Sequence, residues 1–280
     1  MDPLVDAAWL EAHLAEDDLR VLDATVDVDV TTGQVASGRG RWEAGHIPGS
    51  AFADLLGDLS DPDGPYPFSW PSPARFADAI GRLGVADGVR VVVYDARESM
   101  WAARLWWLLR AFGFDEAAVL DGGWTAWIAG GHPVSTEAAP HRPATFTPRP
   151  RPELVVGTAE VRGALDDGRT CIVDALSRRE YSGELAFYGR PGHIPGAVNV
   201  PARRIIDRDT QRFQPVERLR EVFGPALEAE RVVTYCGAGV AAASDAYVLH
   251  LLGHEAVAVY DGSMVAWSAD PDLPLVTGDA

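Results

Sequence analysis

Short apolar runs alternate with longer amphipathic stretches along both halves of the chain. In the second half, runs rich in Val, Ile and Ala predict buried strands, and the stretches between them have the apolar spacing of helices. Continuous apolar strands separated by helices are typical of a parallel sheet that is covered on both faces. Strands are predicted at 171–175, 197–200, 231–235 and 256–260, and helices at 158–166, 215–223, 240–252 and near 263–268. The predicted fold class is therefore α/β, with a small parallel sheet and helices on both of its faces.

Four segments of the first half recur in the second half, in the same order and at similar offsets. The most distinctive is Gly-His-Ile-Pro-Gly, which occurs once in each half. The matching pairs are 21–24 with 172–175, 45–49 with 192–196, 91–95 with 231–236, and 120–127 with 260–267. Ordered repetition of this kind indicates a duplicated domain.

A proline-rich stretch separates the two repeats. Closely spaced prolines prevent helix formation and favour an extended tether. We therefore predict an N-terminal domain at 1–139, a linker at 140–153 and a C-terminal domain at 154–280.

The composition restricts the classes of partner and the cellular compartment. With 24 basic and 41 acidic residues, the formal charge is −17, which argues against nucleic acid and anionic membranes as main partners. The chain has no lysine, which excludes a lysine Schiff base and a Walker-type phosphate loop. Two cysteines are too few for a disulfide framework, and the acidic N-terminus lacks the features of an export signal. These features predict a cytoplasmic protein with reduced thiols.

Cys236 stands where catalytic residues of parallel sheets are found. It follows a predicted buried strand and precedes a Gly-Ala-Gly turn and a helix. Backbone amides of such a turn, together with the helix N-terminus, stabilise a thiolate or an anion attached to its sulfur. Cys171 lies inside a predicted strand without a glycine turn, which is typical of a structural cysteine. Cys236 is therefore the predicted nucleophile.

These motifs together resemble the two-domain rhodanese family of thiosulfate and 3-mercaptopyruvate sulfurtransferases. The resemblance covers about residues 4–275 and includes the Tyr-Cys-Gly-Ala-Gly-Val loop, both Gly-His-Ile-Pro-Gly turns and the Tyr-Asp-Gly-Ser segment. It implies two tandem rhodanese-like domains. The first is catalytically silent, because Asp95 stands at the position that matches Cys236 and cannot form a persulfide.

The resemblance also implies a two-step covalent mechanism. Cys236 takes a sulfane sulfur from a small donor, holds it as a persulfide and passes it to an acceptor thiol, such as thioredoxin or glutathione, or to cyanide. No metal and no organic cofactor is required. The residues predicted to surround the persulfide are Gly237, Ala238, Gly239, Val240 and Ala241.

The same loop also indicates which sulfur donor is preferred. It carries no charged residue and resembles the loop of mercaptopyruvate enzymes, except that Ala238 replaces a serine proposed to assist proton transfer. We therefore expect 3-mercaptopyruvate ahead of thiosulfate. Arg190, then Arg179, are candidates for the donor carboxylate, and His46 could orient the substrate. For each of these three, a surface or turn-stabilising role is an equally open interpretation.

Two alternatives remain open beside the main hypothesis. The first is an enzyme that prefers thiosulfate, and the second is a non-catalytic rhodanese scaffold that binds a partner protein. A cysteine phosphatase is strongly disfavoured, because its chemistry needs an arginine six positions after the cysteine and Ala242 stands there. Zinc binding is poorly supported, because Cys171 and Cys236 do not have ligand-pair spacing.

Overall fold

The computed structural model describes residues 1–29, 34–138 and 141–278. The chain forms two compact units, which are described separately below. The first unit comprises Met1–Pro150 and Arg208–Phe213, and the second comprises Arg151–Asp207 and Gln214–Ala280.

The first unit is built on a five-stranded parallel sheet with connecting helices. Its strands are β1 (Leu4–Val5), β2 (Leu19–Asp23), β3 (Val26–Val28), β4 (Val35–Ser37), β5 (Ser50–Phe52), β6 (Arg90–Tyr94) and β7 (Ala117–Leu120). Its helices are α1 (Ala7–His13), α2 (Arg39–Ala44), α3 (Pro73–Arg82), α4 (Met100–Ala111) and α5 (Gly123–Ala129). The main sheet has the order β1-β7-β6-β2-β5, and β3 and β4 form a separate antiparallel pair.

The second unit repeats this arrangement. Its strands are β8 (Val155–Val156), β9 (Thr170–Asp174), β10 (Val198–Asn199), β11 (Arg231–Tyr235) and β12 (Val257–Tyr260). Its helices are α6 (Thr158–Ala164), α7 (Arg178–Tyr181), α8 (Val216–Phe223), α9 (Val240–Leu251) and α10 (Ser263–Ala269), with short 3₁₀ helices at Pro152–Leu154, Ala202–Arg204 and Gly224–Glu228. All pairings in this sheet are parallel. Read from the β8 edge, its order is β8-β12-β11-β9-β10, in which each strand corresponds to the strand at the same place in the order β1-β7-β6-β2-β5 of the first unit.

The topology confirms the predicted α/β class and the duplication. Each strand and helix that the apolar pattern predicts in the second half is present, with ends that differ by at most two residues. Gly157 is the N-cap residue of α6, and the Glu160 carboxylate accepts its N–H at 3.1 Å. None of the helices in the described part of the chain combines the length and the apolar character that a membrane crossing needs.

The predicted linker at 140–153 differs from the structure in its first part. Ala144 N–H donates to the Gly81 carbonyl at 2.9 Å, Arg149 N–H donates to the Phe112 carbonyl at 2.8 Å, and Phe146 is buried. These contacts make the stretch up to Pro150 a part of the first unit, and the predicted division between 139 and 140 lies outside the described residues.

Residues 208–213 also belong to the first unit, which the sequence pattern does not predict. Phe213 N–H donates to the Asp121 carboxylate at 2.8 Å, and the Gln211 side-chain oxygen accepts the Glu98 N–H at 3.0 Å. A boundary drawn from proline content cannot detect such a segment, because its assignment depends on contacts between residues about 90 or more positions apart.

Candidate active site

Cys236 lies at the carboxyl end of β11, the middle strand of the second sheet, and four residues before α9 begins. Gly239 adopts a left-handed conformation with φ of 73° as the N-cap residue of α9, which lets the loop turn back towards the sulfur. The thiol is buried, and backbone amides of Ala242, Ala238 and Ala241 face it. Burial raises the pKa of this thiol more than the amides lower it, so the resting sulfur is protonated at neutral pH.

Ser263 holds the loop in this conformation. Its hydroxyl accepts the backbone N–H groups of Cys236 and Gly239, both at 3.1 Å, and donates to the Tyr260 carbonyl at 2.7 Å. Ser263 is fully buried and has a φ of 46°, a conformation that non-glycine residues rarely adopt. The Tyr-Asp-Gly-Ser segment is recognisable in the sequence, but no role for Ser263 was predicted from it. The matching residue of the first half is Gly123, and this replacement of glycine by serine between the two repeats is the signal that could have identified Ser263.

The first unit contains a natural counterpart of this loop. The Asp95 carboxylate accepts the N–H groups of Trp101 at 2.9 Å, Ala102 at 3.0 Å and Ser99 at 3.2 Å. Trp101 and Ala102 are the second and third residues of α4, as Ala241 and Ala242 are of α9. The first unit thus holds a carboxyl group where the second unit holds the Cys236 sulfur, and the same type of amide cradle surrounds both groups.

One buried carboxyl group, Asp174, influences the thiol, and its charge also raises the pKa of a second buried carboxyl group, Asp245. Asp174, the last residue of β9, accepts the Tyr235 hydroxyl at 2.6 Å and the Leu176 N–H at 2.8 Å. Burial raises the pKa of Asp174 to about 7, and its negative charge raises the pKa of Cys236. Asp245 on α9 is wholly buried, its carboxyl has no hydrogen-bond partner among the described residues, and burial raises its pKa well above the usual value.

Tyr188 is a further residue of this site that sequence reasoning missed. Its ring packs directly against Gly237, so closely that a Cβ atom on Gly237 would lie 2.1 Å from the Tyr188 Cζ atom. No local pattern around Tyr188 indicates this contact, since the two segments are far apart in the sequence.

The two arginine candidates lie in the same unit as Cys236 but have different surroundings. The Arg190 guanidinium donates to the carbonyl oxygens of Ser268 at 3.0 Å, Asp270 at 2.6 Å and Leu273 at 2.9 Å. These contacts favour the structural interpretation of Arg190 over carboxylate binding. Arg179 is exposed, and its Nε atom lies 3.4 Å from the Glu184 carboxylate, as in a surface ion pair.

His46 belongs to the first unit and is completely buried. Its ring nitrogens lie 2.7 Å from the Trp42 carbonyl oxygen and 2.9 Å from the Glu137 carbonyl oxygen, and the ring stacks on Trp42. With both nitrogens engaged by the backbone, the geometry favours the turn-stabilising interpretation over substrate orientation. His193, the matching residue of the second unit, is buried in the same way with its Nδ1 atom 2.8 Å from the Tyr181 carbonyl oxygen.

Comparison with known proteins agrees with the duplicated architecture. The family described as Rhodanese-like domain matches residues 6–130 and again 158–270. Each match covers one unit from its first α-helix to its last, and the short first strand of each sheet, β1 or β8, lies just before it.

Three similar proteins illustrate the likeness. A probable 3-mercaptopyruvate sulfurtransferase of Pseudomonas aeruginosa is 34% identical over 286 residues, which cover 99% of this chain and 98% of that protein. A thiosulfate sulfurtransferase of Gallus gallus is 34% identical over 273 residues, or 94% of this chain and 92% of that protein. The crystal structure of SseA from Escherichia coli, a 3-mercaptopyruvate sulfotransferase, superposes with a TM-score of 0.84 at 30% identity, over 94% of this chain and 99% of that one.

Proposed function

We propose a mechanism for this chain from the premise that it belongs to the rhodanese-like family and is a sulfurtransferase. In this mechanism, Cys236 is the nucleophile and carries the transferred sulfur as a persulfide. The observation that carries the proposal is the position of the Cys236 sulfur in an amide cradle whose counterpart in the first unit holds the Asp95 carboxylate.

The first step transfers a sulfur atom from the donor. The Cys236 thiolate attacks the sulfur of 3-mercaptopyruvate, an S–S bond forms, and the C–S bond breaks. The electron pair of the broken bond leaves on carbon as the enolate of pyruvate, which then takes up a proton. With thiosulfate, the same attack releases sulfite. Because burial raises the pKa of the resting thiol, proton loss must precede attack, and we expect the first step to accelerate with rising pH.

The cradle then stabilises the persulfide. The amides of Ala238, Ala241 and Ala242 converge on the sulfur, and the positive end of α9 lies behind them. In the second step, an acceptor thiolate or cyanide attacks the outer sulfur, the S–S bond breaks, and its electron pair returns to Cys236 as thiolate. Thioredoxin and glutathione are the proposed thiol acceptors, in agreement with a cytoplasmic location, which we also propose.

We propose 3-mercaptopyruvate as the preferred donor. The cradle loop from Cys236 to Ala241 contains no charged side chain, whereas a dianion such as thiosulfate is best held by cations beside the sulfur. The two relatives whose names carry these different donors are equally similar, at 34% identity, so the preference rests on the loop itself.

The test combines intact mass and steady-state transfer in the wild type, Cys236→Ser and Cys171→Ser. Each protein is incubated with 3-mercaptopyruvate or thiosulfate, and intact-mass spectrometry measures the addition of one sulfur atom. Cyanide is then added to release thiocyanate. We expect the wild type and Cys171→Ser to gain one sulfur and to turn over with ping-pong kinetics, and Cys236→Ser to do neither. Faster transfer from thiosulfate would contradict the donor preference alone. A folded wild type that gains no sulfur from either donor would support a non-catalytic scaffold.

A further inference from the structure

The aromatic ring of Tyr188 covers the residue that follows the nucleophile. A Cβ atom on Gly237 would lie 2.1 Å from the Tyr188 Cζ atom and 2.4 Å from both its Cε1 and Oη atoms. Gly237 itself does not have a positive φ, so its backbone conformation does not demand glycine. The absence of a side chain at Gly237 is therefore required by the close approach of the tyrosine, and the phenol end of the ring reaches the cradle loop.

The segment that carries Tyr188 is held in place by its own contacts within the second unit. The Ser268 hydroxyl donates to the Tyr188 carbonyl oxygen. Two residues further on, Arg190 donates to four backbone carbonyls, two within α10 and two that follow it. These contacts join the tyrosine segment to the end of α10, and α10 begins with the serine that holds the Cys236 loop. The tyrosine is thus fixed relative to the sulfur by packed elements rather than by an unrestrained loop.

The Tyr188 hydroxyl is available as a hydrogen-bond donor. Within the described part of the chain it has no hydrogen-bond partner, although the ring is more than half buried. Burial raises the pKa of Tyr188, and the negative charges of Cys236 and Glu180 raise it further, so the phenol keeps its proton throughout the physiological range. A protonated, partly desolvated hydroxyl next to an anionic sulfur provides a charge-assisted hydrogen bond.

We propose that Tyr188 is a positioning residue of the sulfur-transfer reaction, whose hydroxyl donates a hydrogen bond to the anionic Cys236 sulfur, first as thiolate and then as persulfide. This inference rests on the proposed function of Cys236. The Tyr188 ring lies against Gly237, the residue that follows Cys236, while the amides of Ala241 and Ala242 face the sulfur from the first turn of α9. No proton is transferred, and the hydrogen bond stabilises the charged forms relative to the neutral thiol.

The matched variants are Tyr188→Phe, which keeps the ring, and Phe187→Ala on the same segment. Phe187 is 72% exposed and serves as the control for general loosening of the segment. The first readout is the pH dependence of Cys236 alkylation by iodoacetamide in the resting protein, measured in a Cys171→Ser background. The acidic residues Asp174 and Glu180, whose charges act on Cys236 and Tyr188, are present in all variants and therefore affect each profile equally.

A hydrogen bond to a charged group predicts that Tyr188→Phe raises the pKa of the thiol by about one unit or more, which is at least a roughly tenfold loss of thiolate at a given pH. The second readout is steady-state transfer, in which we expect kcat to fall by about tenfold to a hundredfold. Phe187→Ala should match the parent in both measurements.

A Tyr188→Phe protein that alkylates with the parent's pH profile and transfers sulfur at the parent's rate overturns the inference. Failure of the proposed function has a different outcome. In that case Cys236→Ser still transfers sulfur, whereas alkylation of the resting thiol continues to report on the tyrosine. Far-ultraviolet circular dichroism and the thermal midpoint establish that each variant is folded.

Discussion

Gly237→Ala tests whether the Tyr188 ring is the reason that glycine follows Cys236. The new Cβ atom would lie 2.1 Å from the Tyr188 Cζ atom, whereas carbon atoms in contact stay about 3.5–4.0 Å apart. The ring must therefore move by about 1.5 Å or leave its site. Overpacking of this kind costs about 1–3 kcal/mol of unfolding free energy. Since φ at Gly237 is not positive, little of this cost comes from the backbone.

A double-mutant cycle tests whether contact with the Tyr188 ring causes this loss of unfolding free energy. Urea unfolding, followed by circular dichroism, is compared for the wild type, Gly237→Ala, Tyr188→Ala and the double variant. We expect Gly237→Ala to destabilise the wild type by about 1–3 kcal/mol but to have little effect once the ring is absent. Gly163→Ala is the matched control, because Gly163 lies in α6 and a Cβ there contacts nothing within 4 Å. It should leave stability unchanged or raise it by about 0.5–1 kcal/mol.

The decisive outcome is the cost of Gly237→Ala in the Tyr188→Ala background. If that cost equals the cost in the wild type, the glycine is required for a reason other than the tyrosine, and the packing argument fails. Sulfur transfer by the double variant gives a second measure, since it reports whether the cradle still works without the ring.

The remaining predictions concern pH and the arginines. Burial raises the pKa of Asp95 and of Asp174 to about 7, above an unfolded value of about 4, so the stability that each carboxyl contributes is present below pH 4 and is lost as the pH rises through 7. In urea titrations from pH 4 to 8, Asp95→Asn and Asp174→Asn should each remove up to about 1.4 kcal/mol per pH unit from this decline, and an unchanged slope would show that the carboxyl titrates normally in the fold. Arg190→Gln should lower the unfolding free energy by about 2–3 kcal/mol, because it removes charged donors from backbone carbonyls, while the exposed Arg179→Gln should cost less than about 1 kcal/mol. A rise in KM for the donor without loss of stability in Arg190→Gln would instead identify a carboxylate-binding arginine.

The sequence alone determined the architecture and indicated Cys236 as the proposed nucleophile. The apolar pattern placed the strands and helices of the second half within two residues of their ends, because strand and helix periods are properties of the local chain. The repeated segments predicted the duplication, and the matching strand orders of the two sheets confirm it. The position of Cys236 between a buried strand and a helix was predictable for the same reason, since its immediate neighbours specify that position.

Only the tertiary structure decided which side chains surround that nucleophile. The contact of Tyr188 with Gly237, the carbonyl partners of Arg190 and the enclosed ring of His46 all join segments that are distant along the chain. Arginines and histidines have the same polar groups in a binding site as in a backbone clamp, so residue type does not distinguish the two roles. Their roles depend on which donors and acceptors the packed chain brings within hydrogen-bond distance, and no local pattern contains that information.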